Sequence, residues 1–233
     1  MNRRDFIKIL SLLSFYGVGG CEKKMPMNDL YQDVSVPDFS SENLHNLLDK
    51  LLEAFEAQGM KVSGSLLAPI PEPELVEKCS WFPGKLPPEI VSLYAWRGGQ
   101  EKDAWESKFP FWFRDNSFCS IERAEIEYKS MMESYGVYPE DHELLKYSFP
   151  FASFNGGWYV FPTNGQPFSS NLKAPIISVF QGIDIFFFSI EKMVSTCIEW
   201  VISEKYNSDH SLPEDLEMNI WRKHNPGIFD DRT

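Results

Sequence analysis

Basic residues are scarce in this chain: 22 Lys and Arg stand against 34 Asp and Glu, a net charge of −12. A nucleic-acid binder needs a basic footprint to displace counterions from phosphates, so that class is excluded. There is no apolar run of the roughly 20 residues that a membrane-spanning helix needs; the stretch Ile9 to Val18 is about half that length. No internal repeat of solenoid period is present. Signatures of catalysis are missing as well. His45, His142, His210 and His224 form no His-x-x-x-His pair, and no Cys/His set has metal-ligand spacing. Neither a Gly-x-Ser-x-Gly elbow nor a phosphate-cradling glycine loop occurs. The expectation is no metal, no cofactor and no enzymatic activity.

Apolar and aromatic residues, by contrast, are ample, at 43% and 15% of 233 positions. That suffices for one core, and so for one domain with appendages. Global disorder, collagen-like and low-complexity chains are excluded.

The amino terminus stands apart. Arg3-Arg4-Asp5-Phe6-Ile7-Lys8 opens it, the apolar run follows, and Gly19, Gly20 and Cys21 close it. A short apolar stretch behind a positive start predicts an export signal. Arg3 and Arg4 with Phe6 and Lys8 resemble a twin-arginine signal, although Asn2 and Ile7 replace its usual Ser/Thr and Leu. Val18-Gly19-Gly20-Cys21 resembles a bacterial lipobox, with Val18 where Leu is usual. That resemblance implies cleavage before Cys21 and a lipid on its thiol; an ordinary secretory signal with an incidental cysteine is the alternative. Residues 1–20 are thus expected to be an export signal. Residues 21–39 would be the lipidated cysteine and a polar tether carrying Pro26 and Pro37. Cleavage removes Arg3, Arg4, Lys8 and Asp5, leaving 19 basic and 33 acidic residues, net −14. Cys79, Cys119 and Cys197 remain, an odd number that implies no complete disulfide framework.

Residues 40–205 carry the periodic segments. Ser40 and Ser41 offer an N-cap, and Leu44, Leu47, Leu48, Leu51, Leu52 and Phe55 lie on one helical face that stops near Gly59. Pro69, Pro71 and Pro73 with Glu72 and Glu74 mark a second helix start, and Leu86-Pro87-Pro88-Glu89 a third. Gly98 and Gly99 are expected to end that third helix, with Gly98 in the left-handed conformation. Ser120 caps a further helix running to about Tyr135. Two hairpins follow: Phe149–Phe154 with Trp158–Phe161 around Asn155-Gly156, then Pro175–Phe180 with Ile183–Phe188. A last helix starts at Ser189, and residues 206–233 form a C-terminal extension. Helices, then hairpins, then a helix predict an α+β fold, with helices packed on a mostly antiparallel sheet.

Several of these segments resemble, in order, the SUKH superfamily of bacterial toxin-immunity proteins and fungal cell-wall assembly regulators. They are Ala68-Pro69 with Glu72 to Glu77, Lys85-Leu86-Pro87-Pro88-Glu89-Ile90, Leu93-Tyr94 with Arg97-Gly98-Gly99, Phe149 to Ser153, Gly157 to Val160, Pro175-Ile176-Ile177 and Ser189 to Trp200. Arg97 stands where that family usually has Asn, and Trp81-Phe82-Pro83-Gly84 replaces a shorter connection. The resemblance spans about residues 66 to 202. It implies a SUKH-like fold in which Leu86, Pro87, Gly98 and Gly99 are structural.

Residues capable of chemistry have plainer explanations. Glu122, Glu125 and Glu127, with Asp115, could act as acids or metal ligands, but a solvated helix face is the simpler reading. Asp141-His142-Glu143 reads as a polar loop. Gly98-Gly99-Gln100 spells the tripeptide of peptide-release factors, which act in a basic, RNA-docked setting unlike this chain. Most of Trp81, Trp96, Trp105, Trp112 and Trp158 should be core, while Trp105 and Trp112 lie nearest loop signals and are the candidate partner-binding aromatics.

The functional expectation is a non-enzymatic protein-binding domain on an exported, membrane-anchored lipoprotein of a bacterial cell envelope. It would be an immunity protein neutralising a basic toxin through an acidic face. An envelope assembly or scaffold lipoprotein contacting protein or glycan is the alternative, and a hydrolase with scattered site residues a third.

Overall fold

The computed structural model describes residues 39–101, 111–112, 116–135, 139–154, 156–163, 175–180, 182–203, 212–226 and 228. Helix α1 (Ser41–Ala57) starts where the Ser40 hydroxyl accepts the Asn43 N–H at 3.2 Å, and it ends just before Gly59 at φ +77°. Its Leu44, Leu48, Leu51 and Phe55 are buried, so the apolar stripe is a core face. A 3-10 turn (Val62–Ser65) follows. Helices α2 (Glu72–Lys78) and α3 (Pro88–Trp96) both begin behind prolines, where a missing N–H costs no intrahelical bond, with acids in their first turns. Serine hydroxyls cap α4 (Ile121–Ser134) and α6 (Ile190–Ile202): Ser120 accepts from Arg123 and Ser189 from Lys192. Between them lies α5 (Pro139–Lys146), and the chain continues to α7 (Glu214–His224).

Five strands, β1 (Ser117–Phe118), β2 (Ser148–Phe154), β3 (Gly157–Pro162), β4 (Ile176–Val179) and β5 (Ile183–Phe187), form one sheet. They lie in chain order, β1-β2-β3-β4-β5, and every pair is antiparallel. The fold is therefore α+β, as the order of segments predicts. Pro150 sits inside β2 at no cost to the ladder, because β1 pairs only with Ala152 and Ser153. A bulge beside it sets Pro150 opposite Val160 and Ala152 opposite Tyr159, leaving Phe151 as the extra residue.

Aromatic rings fill the core in three groups. Trp81, Phe82 and Tyr128 surround Phe149; Phe111, Trp112 and Phe118 meet Phe151; Tyr159, Phe186 and Trp221 close the third. Helix α7, within the expected C-terminal extension, contributes to the same core, since its Trp221 and Ile220 are buried. Among the described residues no helix is long and apolar enough to cross a membrane.

Three expectations are corrected. Helix α3 ends because Arg97 turns extended (φ −152°, ψ 145°), and Gly98 is not left-handed. Gly98 is needed for space instead: a Cβ there would lie 2.6 Å from the Ala68 carbonyl oxygen. Gly99 is the left-handed residue, at φ +101°, and a Cβ on it would lie 2.5 Å from the Cys119 carbonyl oxygen. Residues 141–143 are part of α5, not a loop. Trp112 is fully buried, its ring edge-on to Phe111 at 4.6 Å, because the backbone bridge from Trp112 to Asn116 turns it inward. It offers no exposed anchor to a partner.

Candidate functional site

The groups most capable of chemistry lie under α4. Glu127 is buried, contrary to the solvated face expected for it. Its carboxylate pairs with Arg123, accepts the Ser153 hydroxyl at 2.9 Å and accepts the Trp158 indole N–H. Cys119 in turn donates to the Ser153 hydroxyl oxygen at 3.5 Å. Burial pushes the Cys119 thiol up to about 12, so no thiolate forms near neutral pH. The cluster is thus a carboxylate satisfied by three donors next to an inert thiol, which ties α4 to β2 and β3.

Glu122 is exposed and Glu125 is half-buried. A hydrogen bond from its own backbone N–H holds the Glu122 carboxyl below its usual range, and Lys78 lies 3.6 Å away. Glu125 pairs with Lys129 at 2.6 Å. Asp115 lies outside the described residues.

His45 and Ser92 form a serine–histidine contact of 3.1 Å, but its geometry opposes nucleophile activation. The same His45 Nε2 lies 2.9 Å from the Ser92 carbonyl oxygen, an acceptor, so that nitrogen carries a proton and donates. His224 and Lys223 both donate to Glu199 across α6 and α7, at 2.8 and 2.7 Å. Burial works against the Glu199 charge, yet these two donors outweigh it and hold the carboxyl low. Among the described residues no three His, Cys, Asp or Glu side chains converge as metal ligands.

The Gly98-Gly99-Gln100 tripeptide is buried as a clamp. Gln100 Oε1 accepts the Phe118 N–H at 2.9 Å and the Phe111 N–H at 3.3 Å, while its Nε2 donates to Ser65. Gly98 donates its N–H to the Leu67 carbonyl, and Leu67 donates to Gly99. Leu86 packs partly buried on the core and Pro87 caps α3, so the four family-like motif residues act on structure.

What the surface does present is acid. On α1, Glu42, Asp49, Glu53 and Glu56 are all exposed at spacings of seven, four and three, which place them on one stripe opposite the buried leucines. The stripe is anchored midway, where Asp49 accepts the Trp96 indole N–H at 2.8 Å. It runs into an open cleft of about 450 Å³ lined by Glu56, Gly59, Met60, Lys61, Ser63 and Gly64. Sequence reading placed the apolar face of α1 correctly, and the complementary acidic stripe is the signal in the same heptads. Arg3, Arg4, Cys21 and Trp105 lie outside the described residues. No protein-family model matches the chain, and no curated protein matches it.

Proposed function

We propose that this protein is a SUKH-type, non-enzymatic binding domain carried on a membrane-anchored lipoprotein, and that it acts as an immunity protein by holding a basic toxin. The observation that carries this reading is the acidic stripe of Glu42, Asp49, Glu53 and Glu56 leading into the cleft beside Glu56. A negative field of that kind speeds encounter with a basic protein and orients it. The segments that resemble the superfamily, Ala68 to Trp200, support it further by lying within one α+β unit. Glu127 and His45, the groups with most chemical potential, are engaged in holding elements together. Of the two aromatic anchors expected for the scaffold alternative, Trp112 is in the core and Trp105 lies outside the described residues.

The test uses the full chain carrying Cys21→Ser to capture proteins from its own source at low and moderate salt. Its Glu53→Gln/Glu56→Gln variant serves as control. A basic partner that is retained less well at moderate salt, and less well by the variant, supports the reading. No partner at either salt, together with hydrolase turnover abolished by one Glu→Gln or His→Ala change, would replace it with the enzyme.

A further inference from the structure

The cleft beside Glu56 is open at its glycines. Gly59 and Gly64 both line it, and a Cβ built on either would meet no atom within 4 Å. Bare backbone therefore borders about 450 Å³ of space, room for one large side chain. Met60, itself buried, gives the cleft an apolar contact. Gly59 is required by its φ of +77°, but Gly64 is not left-handed and nothing crowds its Cα. A glycine that neither a turn nor a close neighbour demands costs chain entropy for no structural return. What it does here is leave the cleft open.

The charge at this place runs against the helix. The cleft begins where α1 ends, and the carbonyl end of a helix is partly negative, a charge that basic side chains offset. Lys78 stands in the last turn of α2, Lys146 in that of α5, and Arg222, Lys223 and His224 in that of α7. The last turn of α1 has no basic residue; it carries Glu56, with Glu53 three residues before it. Lys61 shares the lining, yet among the described residues neither Lys61 nor Glu56 makes an ion pair. The end of α1 is thus left negative beside an open space.

We propose that this cleft takes one arginine side chain of the basic partner, with its guanidinium on Glu56 and its stem along Met60 and the backbone of Gly59 and Gly64. An apolar stem with a charged head matches a lining that is apolar at Met60 and acidic at Glu56. Arginine suits it better than lysine, because the planar guanidinium is weakly hydrated and pairs with a carboxylate through two N–H groups. This site rests on the basic-partner reading above and names the group of the partner that enters.

The test titrates N-acetyl-arginine amide into the isotope-labelled full chain with Cys21→Ser, at low salt, and follows backbone amide signals by NMR. Those of Gly59 and Gly64 should move. Glu56→Gln should weaken this binding by about fivefold or more, through loss of a charge-assisted hydrogen bond. Gly64→Leu, which fills the opening and keeps every charge, should abolish the shift at Gly59. Uncharged N-acetyl-norleucine amide should move neither signal. Glycine signals that stay still, that move equally in Glu56→Gln, or that answer norleucine as they answer arginine overturn the proposal. Should Gly64→Leu fail to fold, Glu56→Gln and the norleucine comparison decide. Gly64→Leu should also hold the captured partner about tenfold less tightly, as loss of a central anchor does. A partner held equally by parent and folded Gly64→Leu overturns the cleft and leaves the acidic-face reading standing. Arginine binding as described, with no basic partner captured, supports the cleft and removes the toxin-holding reading.

Discussion

The Ser153 hydroxyl of β2 donates to the Glu127 carboxylate of α4 at 2.9 Å, joining residues 26 apart in the sequence. With Arg123 and Trp158 also donating, this buried carboxylate fixes how α4 lies on the sheet. Glu127→Ala strips the acceptor from Ser153 and Trp158 while both remain buried. It should destabilise the domain by about 2–4 kcal/mol, since buried donors lose their partners. Glu127→Gln, which keeps an acceptor oxygen, should cost less. Chemical denaturation of the three proteins gives the ranking; an unchanged midpoint for Glu127→Ala would show that the cluster contributes nothing.

The glycines after α3 should differ from glycine elsewhere. Gly99→Ala combines a left-handed φ of +101° with a Cβ 2.5 Å from the Cys119 carbonyl oxygen, and Gly98→Ala a Cβ 2.6 Å from that of Ala68. Each should lower stability by about 1–3 kcal/mol. Gly64→Ala, with nothing within 4 Å of its Cβ, should stay within about 0.5 kcal/mol of the parent. Thermal midpoints that fail to separate Gly64 from the other two would count against the close approach of Ala68 to Gly98 and of Cys119 to Gly99.

Alkaline pH should loosen the core through its thiols. Burial raises Cys119 from 9.0 to about 12, and Cys79 likewise. A group whose folded value lies above its unfolded one stabilises fully below the unfolded value and loses that contribution as pH climbs through the folded one. The thermal midpoint should therefore fall between about pH 9 and pH 12, and less steeply in Cys119→Ala than in the parent. Identical profiles would show that Cys119 titrates as an open thiol.

How much of this was legible in the sequence depended on whether a residue's role is local. The leucine spacing of α1, the serine caps at 40, 120 and 189, the prolines before α2 and α3, and both hairpins all act within a few residues of themselves, and all appear where expected. Helix α5 was hidden because Glu140 to Glu143 are polar and leave only Leu144 and Leu145, too few to show a helical period. Glu127 looked like one more solvated acid beside Glu122 and Glu125, since its partners Ser153 and Trp158 come from another element. Trp112 and Gly98 were misjudged for the same reason: the packing of Phe118 and Phe151 against the Trp112 ring and the approach of Ala68 to Gly98 are tertiary facts. The acidic stripe could have been found by reading the same α1 heptads for charge.

The amino terminus makes its own prediction. Metabolic labelling with a fatty acid should mark the parent chain and leave Cys21→Ala unmarked. Replacing Arg3 and Arg4 by Lys should block export if the twin-arginine route is used. Equal labelling of parent and Cys21→Ala would remove the lipid anchor from the account.

The claim that this domain acts by holding a basic protein is tested most directly by the salt dependence of partner affinity, measured side by side for the parent and for Glu53→Gln/Glu56→Gln. These two acids are exposed on α1, so the fold should be unaffected. The account predicts that affinity for the captured partner falls as salt rises, and that the variant binds about tenfold or more weakly at low salt with a shallower salt slope. Equal affinity and an equal slope for the two proteins would contradict it.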